Sequence, residues 1–428
     1  MLKTAHRAQY VLVEPGLILQ DAVVGISEEG FIAAVEPRQS FSADSEVEVE
    51  DWGSSIIMPG FINAHAHLEL TSLHDQITRF DSFTDWISQL INRRRLWTEQ
   101  DFIVSAREGA KLSLSSGTTL VGDITSSGAG WKATLGQNLR RVVFEEVMAL
   151  SPGQADQAIQ KLIDLFRQAD PNPRLIHGIS PHAPYSVSPE LYRRAAEQAR
   201  SRGMLMATHL AETRAEVEFL RYGTGEFREF LKAINVFPSE WEPPKLSPVF
   251  HLDSMGILGP NCLLIHCNYL DQVSIDKLKN TGSSVVYCPR SHEFFGHEEH
   301  PIRKLQDAGV NVALGTDSLA SNSSLSMIDE IRFLSRRRKD LKPVEIFQAA
   351  TINGAAALNL SCTLGRLKRG YCADMVVLEL SDNCRPRQLL DQILEGDGQC
   401  IATIVQGTIS WQQPGTKKQM SKSGKGTF

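Results

Sequence analysis

The sequence has no Cys-x-x-Cys pair. Its seven cysteines (Cys262, Cys267, Cys288, Cys362, Cys372, Cys384 and Cys400) are scattered and odd in number. A disulfide framework is therefore not expected, and reduced thiols in a cytoplasmic protein are. No apolar run approaches the roughly 20 residues that a bilayer helix needs. The opening "MLKTAHRAQYVLVEPG" also lacks a signal-peptide pattern, so no membrane partner is expected. Positive charge is not in excess: Lys and Arg number 44 against 50 Asp and Glu, a net charge of −6. That removes the basic field on which nucleic-acid binding depends. Two local basic runs, Arg93–Arg95 and Arg336–Lys339, read as solvated helix faces. Solenoid-type internal repeats are absent too.

What remains is an ordinary globular composition, 42% hydrophobic and 22% charged. Eight short apolar segments punctuate the middle of the chain, at 55–65, 118–124, 141–150, 174–180, 204–209, 262–267, 283–288 and 310–317. They are continuous rather than alternating, which suits strands buried on both faces of a parallel sheet. Helical patterns lie between them. In "SPELYRRAAEQARSRG", Ser188 can cap, Pro189 suits the first turn, Leu191, Ala195 and Ala199 share a face, and Gly203 suits the stop. Eight strand–helix units predict an α/β protein with a (β/α)8 TIM barrel; a doubly wound open sheet is the alternative. Residues 9–50 and 364–412 alternate like half-buried strands, and neither stretch is long enough for a core of its own. Together they predict one small composite β-sandwich built from both chain ends. The expected division is sandwich over 1–57, barrel over 58–362, sandwich again over 363–412, and a disordered tail over 413–428, where "QQPGTKKQMSKSGKGTF" is polar and rich in Gly, Ser and Lys.

Parallel barrels carry their reactive groups at the C-terminal ends of the strands. Here His65 and His67 close the first segment, two residues apart and so facing one way in extended chain. His182 follows the fourth, His209 the fifth with Glu212 three residues on, His266 the sixth and Asp317 the eighth. Divalent zinc or iron takes imidazole nitrogen and carboxylate oxygen, and a catalytic site keeps one position open for water. His65, His67, His209 and Asp317 could supply such a set. Glu212 and His266 would then be free for proton transfer and for polarising a substrate.

These stretches resemble the amidohydrolase superfamily, in its cytosine/guanine/triazine deaminase-like branch. The matching motifs are "MPGFINAHAHLE", "SPHAPYSVSPELY", "THLAET", "LIHC", "VVYCPRS" and "GVNVALGTDSLASN", with "GRLKRGYCADMVVLE" in the terminal part. The resemblance implies metal ligands at His65, His67, His209 and Asp317, catalytic roles for Glu212, His266 and Asp317, and a substrate contact at His182. Two-metal relatives bridge their ions with a lysine after the fourth strand. This sequence has "GISPHAPYS" there and no lysine, so one divalent ion is expected, zinc before iron or manganese. Glu145 and Glu146 read as salt-bridge or barrel-core residues.

Substrate contacts are expected from two loops. Phe80, Phe83 and Trp86 could wall a pocket or cover the barrel rim. "CPRSHEFFGHEEHP" offers Arg290 and His292 as contacts, against a plain surface loop or a second metal site using His292, His297 and His300; its "HEEH" is not the HExxH zinc helix. Many relatives carry Asn where His292 stands. The patterns around "HLAET" and "CPRSHEFFGH" are similar to aminodeoxyfutalosine and S-adenosylhomocysteine deaminases. The resemblance therefore implies hydrolytic deamination of an adenosine-like heterocycle with release of ammonia. The alternatives are cyclic-amide opening of the imidazolonepropionase type, triazine dechlorination or dealkylation, or a scaffold without catalysis. A homodimer fits barrels of this type.

Overall fold

The computed structural model describes the chain except for residues 1, 43–46, 129, 135–136, 169–171, 173, 382–384, 386–387, 417–418 and 423–428. Its named strands fall into two sheets. The N-terminal end supplies β1 (Leu2–Glu14), β2 (Leu17–Ser27), β3 (Ile32–Pro37), β4 (Glu48–Asp51) and β5 (Ser55–Pro59). The barrel follows with β6 (Phe61–Ala66), β7 (Thr118–Thr125), β8 (Arg140–Val147), β9 (Leu175–Pro181), β10 (Met206–Leu210), β11 (Cys262–His266), β12 (Ser284–Tyr287) and β13 (Val312–Leu314). The C-terminal end adds β14 (Met375–Glu379), β15 (Cys400–Val405), β16 (Thr408–Gln412) and β17 (Gln419–Lys422).

The eight central strands pair in chain order from β6 to β13 and are all parallel. Order without a reversal excludes the doubly wound alternative. Thr316 and Asp317, just past β13, donate their amides to the carbonyl of His65 at 3.0 and 3.1 Å. That contact joins the last barrel strand to the first. It requires Gly315, where a Cβ would lie 2.8 Å from the His65 oxygen. The barrel is thus drawn shut at the level of the histidines.

Helices alternate with these strands as expected. Helix α1 (Phe83–Arg94), α2 (Glu99–Ser115) and α3 (Ala155–Gln168) precede α4 (Pro189–Arg202). In α4 the Ser188 hydroxyl accepts from the Leu191 amide, Gly203 ends the helix at φ 63°, and Leu191, Ala195 and Ala199 are buried. Next come α5 (Arg214–Tyr222), α6 (Glu226–Ala233), α7 (Pro248–Ser254), α8 (Gln272–Lys279) and α9 (Pro289–Phe294). No described helix is long and apolar enough to cross a membrane.

The nine terminal strands form one mixed sheet in which β5 pairs antiparallel with β14. Two boundaries differ from expectation. The apolar segment 55–65 is not one strand: Ser55–Pro59 belongs to the terminal sheet and Phe61–Ala66 opens the barrel. The barrel therefore begins at Phe61 rather than at 58. The Pro59-Gly60 step divides them, because a side chain at Gly60 would strike Thr119 at 2.3 Å. The tail expected to be disordered over 413–428 holds a strand at Gln419–Lys422, antiparallel to β4. Backbone groups make that ladder, so polar composition did not forbid it. Residues 417–418 and 423–428 of that expectation lie outside the described residues. The six described cysteines are free thiols.

Beneath the histidines lies a buried ion pair. Arg141 and Asp123, each 1% exposed, meet at 2.9 Å, and Arg141 also donates to the Gly130 carbonyl. The other Asp123 oxygen accepts from the Leu68 amide at 2.9 Å, which pins the chain directly after His67. Asp123→Ala would leave a buried guanidinium unpaired and is expected to cost about 3–5 kcal/mol, read as a lowered urea midpoint. Asp123→Asn keeps an acceptor for Leu68 and should cost less.

Candidate metal centre and substrate cavity

His65 is the fifth residue of β6 and is fully buried. Neither of its ring nitrogens has a hydrogen-bond partner. His67 lies one residue beyond the strand, where the chain turns into the short 3-10 helix Leu68–Leu73. The two rings stand 4.9 Å apart, almost perpendicular. From β10, His209 brings its Nε2 to 3.3 Å from His67 Nε2. Its Nδ1 sits 3.0 Å from the His182 carbonyl. A carbonyl only accepts, so that nitrogen carries the proton and Nε2 presents a lone pair. Asp317 Oδ1 lies 3.5 Å from His65 Nε2 and 3.8 Å from His67 Nε2. The hydroxyls of Ser291 and Ser321 donate to its Oδ2, and the Ser318 amide to its Oδ1.

The donor set fits one divalent cation. His65, His67 and Asp317 form a group able to hold a metal, as do His65, His209 and His266. A buried imidazole with both nitrogens unpartnered is an incomplete arrangement that a Lewis acid completes. Burial, with His65 alongside, lowers His67 to about 3, so it stands as a neutral ligand rather than a cation. Burial alone would push the Asp317 carboxyl up. The rings of His65, His266 and His67 outweigh it and hold the group well below the usual carboxylate range.

Glu212 and His266 face one another beside this cluster, Oε1 to Nε2 3.4 Å apart. Burial, with Asp317 and Glu216 nearby, holds the Glu212 carboxyl well above the usual range. Burial, chiefly, takes His266 down to about 3. The backbone around the pair is fixed from outside: Glu216 accepts from the amides of Ala211 and Glu212, and Asn268 donates to the Glu212 carbonyl. Ala211, His266, Cys267 and Asp317 all adopt positive φ, between 50° and 71°. Non-glycine residues hold that conformation only when their surroundings over-determine it, at about 1–3 kcal/mol each. These four all lie just at or past barrel strand ends.

The cluster floors a cavity of about 320 Å³. His67, His182, His209, Glu212, His266 and Asp317 all line it. Phe83 and Trp86 of α1 and Phe230 of α6 supply flat apolar walls. Trp86 is held in place by its Nε1–H, which donates to the Ala320 carbonyl at 3.3 Å. His182, lowered to about 4 by burial and the nearby Arg94, shares a 2.6 Å hydrogen bond with Ser186. Phe80 packs instead against Phe294 and Phe295.

Two residues expected to touch substrate do not reach this cavity. Arg290 and His292 lie on α9, which starts directly after β12. Arg290 hydrogen-bonds Ser323 and Ser324, and its amide donates to Glu330. His292 is buried, edge-on to Tyr287. His300 donates from Nε2 to the His266 carbonyl, and His297 pairs with the Tyr269 hydroxyl. The three loop histidines form no metal-holding group among the described residues. Two charged cavity residues were read otherwise in the sequence. Glu146, at the end of β8, and Arg94, in the run read as solvated, both line the pocket.

Comparison with known proteins finds similar sequences and folds. Over 389 residues, 86% of this chain and 84% of the relative, it is 29% identical to the 5'-deoxyadenosine deaminase of Methanopyrus kandleri. It is 27% identical to the aminodeoxyfutalosine deaminase of Nitratiruptor sp., over 87% of this chain and 91% of the relative. The fold matches that of an adenosine deaminase from Xanthomonas campestris, solved with bound zinc, at a TM-score of 0.81 and 23% identity, covering 95% of this chain and 92% of that one. Residues 56–410 match the amidohydrolase family, and the chain belongs to that family.

Proposed function

We propose that this chain is a metal-dependent aminohydrolase that removes the exocyclic amine of an adenosine-like nucleoside and releases ammonia. The observation that carries the reading is a buried Glu212, its carboxyl held well above the usual range, facing His266 beside a three-histidine, one-aspartate cluster. The cavity volume and its aromatic walls suit a flat heterocycle, and the deaminases named above act in the same direction.

His65, His67, His209 and Asp317 would hold one divalent cation, zinc first, with iron or manganese accepted by the same donors. Such an ion lowers the pKa of water so that hydroxide is available at neutral pH. The chain's own groups do the rest. Phe83 and Trp86 hold the ring flat, and His182 touches its edge. Glu212 gives its proton to the ring nitrogen beside the carbon that bears the amine, which eases loss of conjugation there. His266 hydrogen-bonds the attacking oxygen. Asp317 takes one proton from that oxygen and passes it to the departing amine; the ring nitrogen keeps the proton that Glu212 gave, and Glu212 takes the oxygen's second proton as the carbonyl forms. Water and substrate thus become carbonyl product and ammonia.

The test is ammonia release from zinc-loaded protein over adenosine-, guanine- and cytosine-type compounds. Turnover is expected with the adenosine type. A new carboxylate from a cyclic amide, chloride from a triazine, or no turnover at all would overturn the reading.

A further inference from the structure

The loop "CPRSHEFFGHEEHP" has no part in the chemistry above, yet its last histidine touches the backbone of the site. His300 lies between α9 and α10 (Ile302–Asp307) and is 2% exposed. Its ring stacks on Tyr287, the last residue of β12, with centroids 3.8 Å apart. Its Nε2 donates to the His266 carbonyl at 2.8 Å. Its Nδ1 is buried without a hydrogen-bond partner. Behind it, Arg338 follows α11 (Met327–Arg337) and donates to the His300 carbonyl at 2.7 Å. The same guanidinium grips Asp340 through Nε and Nη2. The carbonyl that His300 holds needs a donor. The β11–β12 ladder stops at Ile265 and Val286, and His266 and Cys267 then turn to φ of 71° and 54°. A second tie runs beside the first. His297 pairs with the Tyr269 hydroxyl, and the Tyr269 amide donates to the carbonyl of Ala211, the residue before Glu212.

We infer that His300 is a positioning residue: by holding the His266 carbonyl, it sets where the His266 ring stands against Glu212. This rests on the roles given to that pair above. For filling space alone an apolar ring would serve better, since it stacks on Tyr287 as well and buries no bare nitrogen. What imidazole adds here is one N–H, and the His266 carbonyl takes it. Two successive residues in the left-handed region persist only under constraint from their surroundings, and this bond, anchored in turn by Arg338, supplies one. Without the donor the carbonyl is left buried and unpaired, and the backbone of His266 relaxes away from its present course. The ring moves with the backbone, and the 3.4 Å contact with Glu212 opens. The metal cluster hangs on other bonds. His209 is fixed by the His182 carbonyl, and Asp317 by Ser291, Ser318 and Ser321.

The experiment measures ammonia release from adenosine by zinc-loaded full-length protein. His300→Phe keeps the stack on Tyr287 and removes the donor. It should lower kcat by roughly 10–100-fold, the scale on which a ~1 Å misplacement acts, with KM and zinc content little changed. His300→Gln, whose amide can stand where Nε2 stands, should restore most of the rate. His300→Asn places its amide too short to reach His266 and should behave like the Phe variant; it carries the test if His300→Phe does not fold. A His266→Ala background separates positioning from general damage. With no ring left to place, His300→Phe should there cost less than about twofold, because changes that act through one group do not add. Normal kcat in folded, zinc-loaded Phe and Asn variants overturns the role. So does an equal loss in both backgrounds, or a loss that follows zinc depletion. If wild type turns over no adenosine-type compound, the functional reading fails and the role with it.

Discussion

Glu212→Gln is expected to keep its metal and lose kcat by roughly 10³-fold, within the ~10²–10⁴ that one acid–base group supplies. The amide has the same shape and can stay facing His266, so the pair's geometry survives. What it lacks is a proton to give. Burial beside Asp317 and Glu216 raises the native carboxyl well above the usual range, and those neighbours are unchanged in the variant. KM should therefore move little while kcat collapses, the split that marks an interaction made in the transition state. Metal analysis alongside single-turnover kinetics checks both halves. A variant with normal kcat would remove Glu212 from the chemistry.

The second large effect is expected at Asp317. Asp317→Asn preserves shape and most hydrogen-bonding capacity, yet removes the negative charge from the cluster. Affinity for zinc should fall by more than the roughly 10–100-fold that follows loss of an outer partner of a ligand, and activity should reach background. Ser291→Ala supplies the comparison. Its hydroxyl donates to Asp317 Oδ2 at 2.7 Å, so its removal should weaken zinc within that smaller range. Zinc retained after dialysis against a chelator measures both, with circular dichroism as the folding control. Full zinc content in Asp317→Asn would exclude the aspartate as a ligand.

The residues that a strand end positions were readable before any coordinates. His65, His209 and His266 sit within barrel strands, and His67, His182, Glu212 and Asp317 lie within three residues of one. A parallel barrel leaves little freedom in where such groups point. The loops were less legible. Arg290 and His292 looked as well placed as His182, but α9 begins at once after β12, and neither residue lines the cavity. Nothing in the local composition distinguishes a loop whose polar side chains line the mouth from one that packs beside it, as α9 does through Ser291 and the Phe295 that follows it. Arg94 failed for a related reason. Three consecutive arginines spread around a helix end, and only one of them points inward, a fact set by how α1 docks. Glu146 shows a third limit. Adjacent strand residues face opposite sides, and the Glu145-Glu146 pair alone does not say which of the two meets the cavity. The split of 55–65 between two sheets was hidden because both strands are apolar and only Gly60 divides them.

That split has a consequence for how the protein is made. Ile57 pairs with Val377, so one of the central ladders of the terminal sheet waits for about 300 further residues to be translated. At the ~5–20 residues per second of ribosomal synthesis, β1 to β5 spend tens of seconds with an open, apolar border that only the other end of the chain can cover. During that interval the nascent protein depends on whatever shields exposed strand edges in the cell.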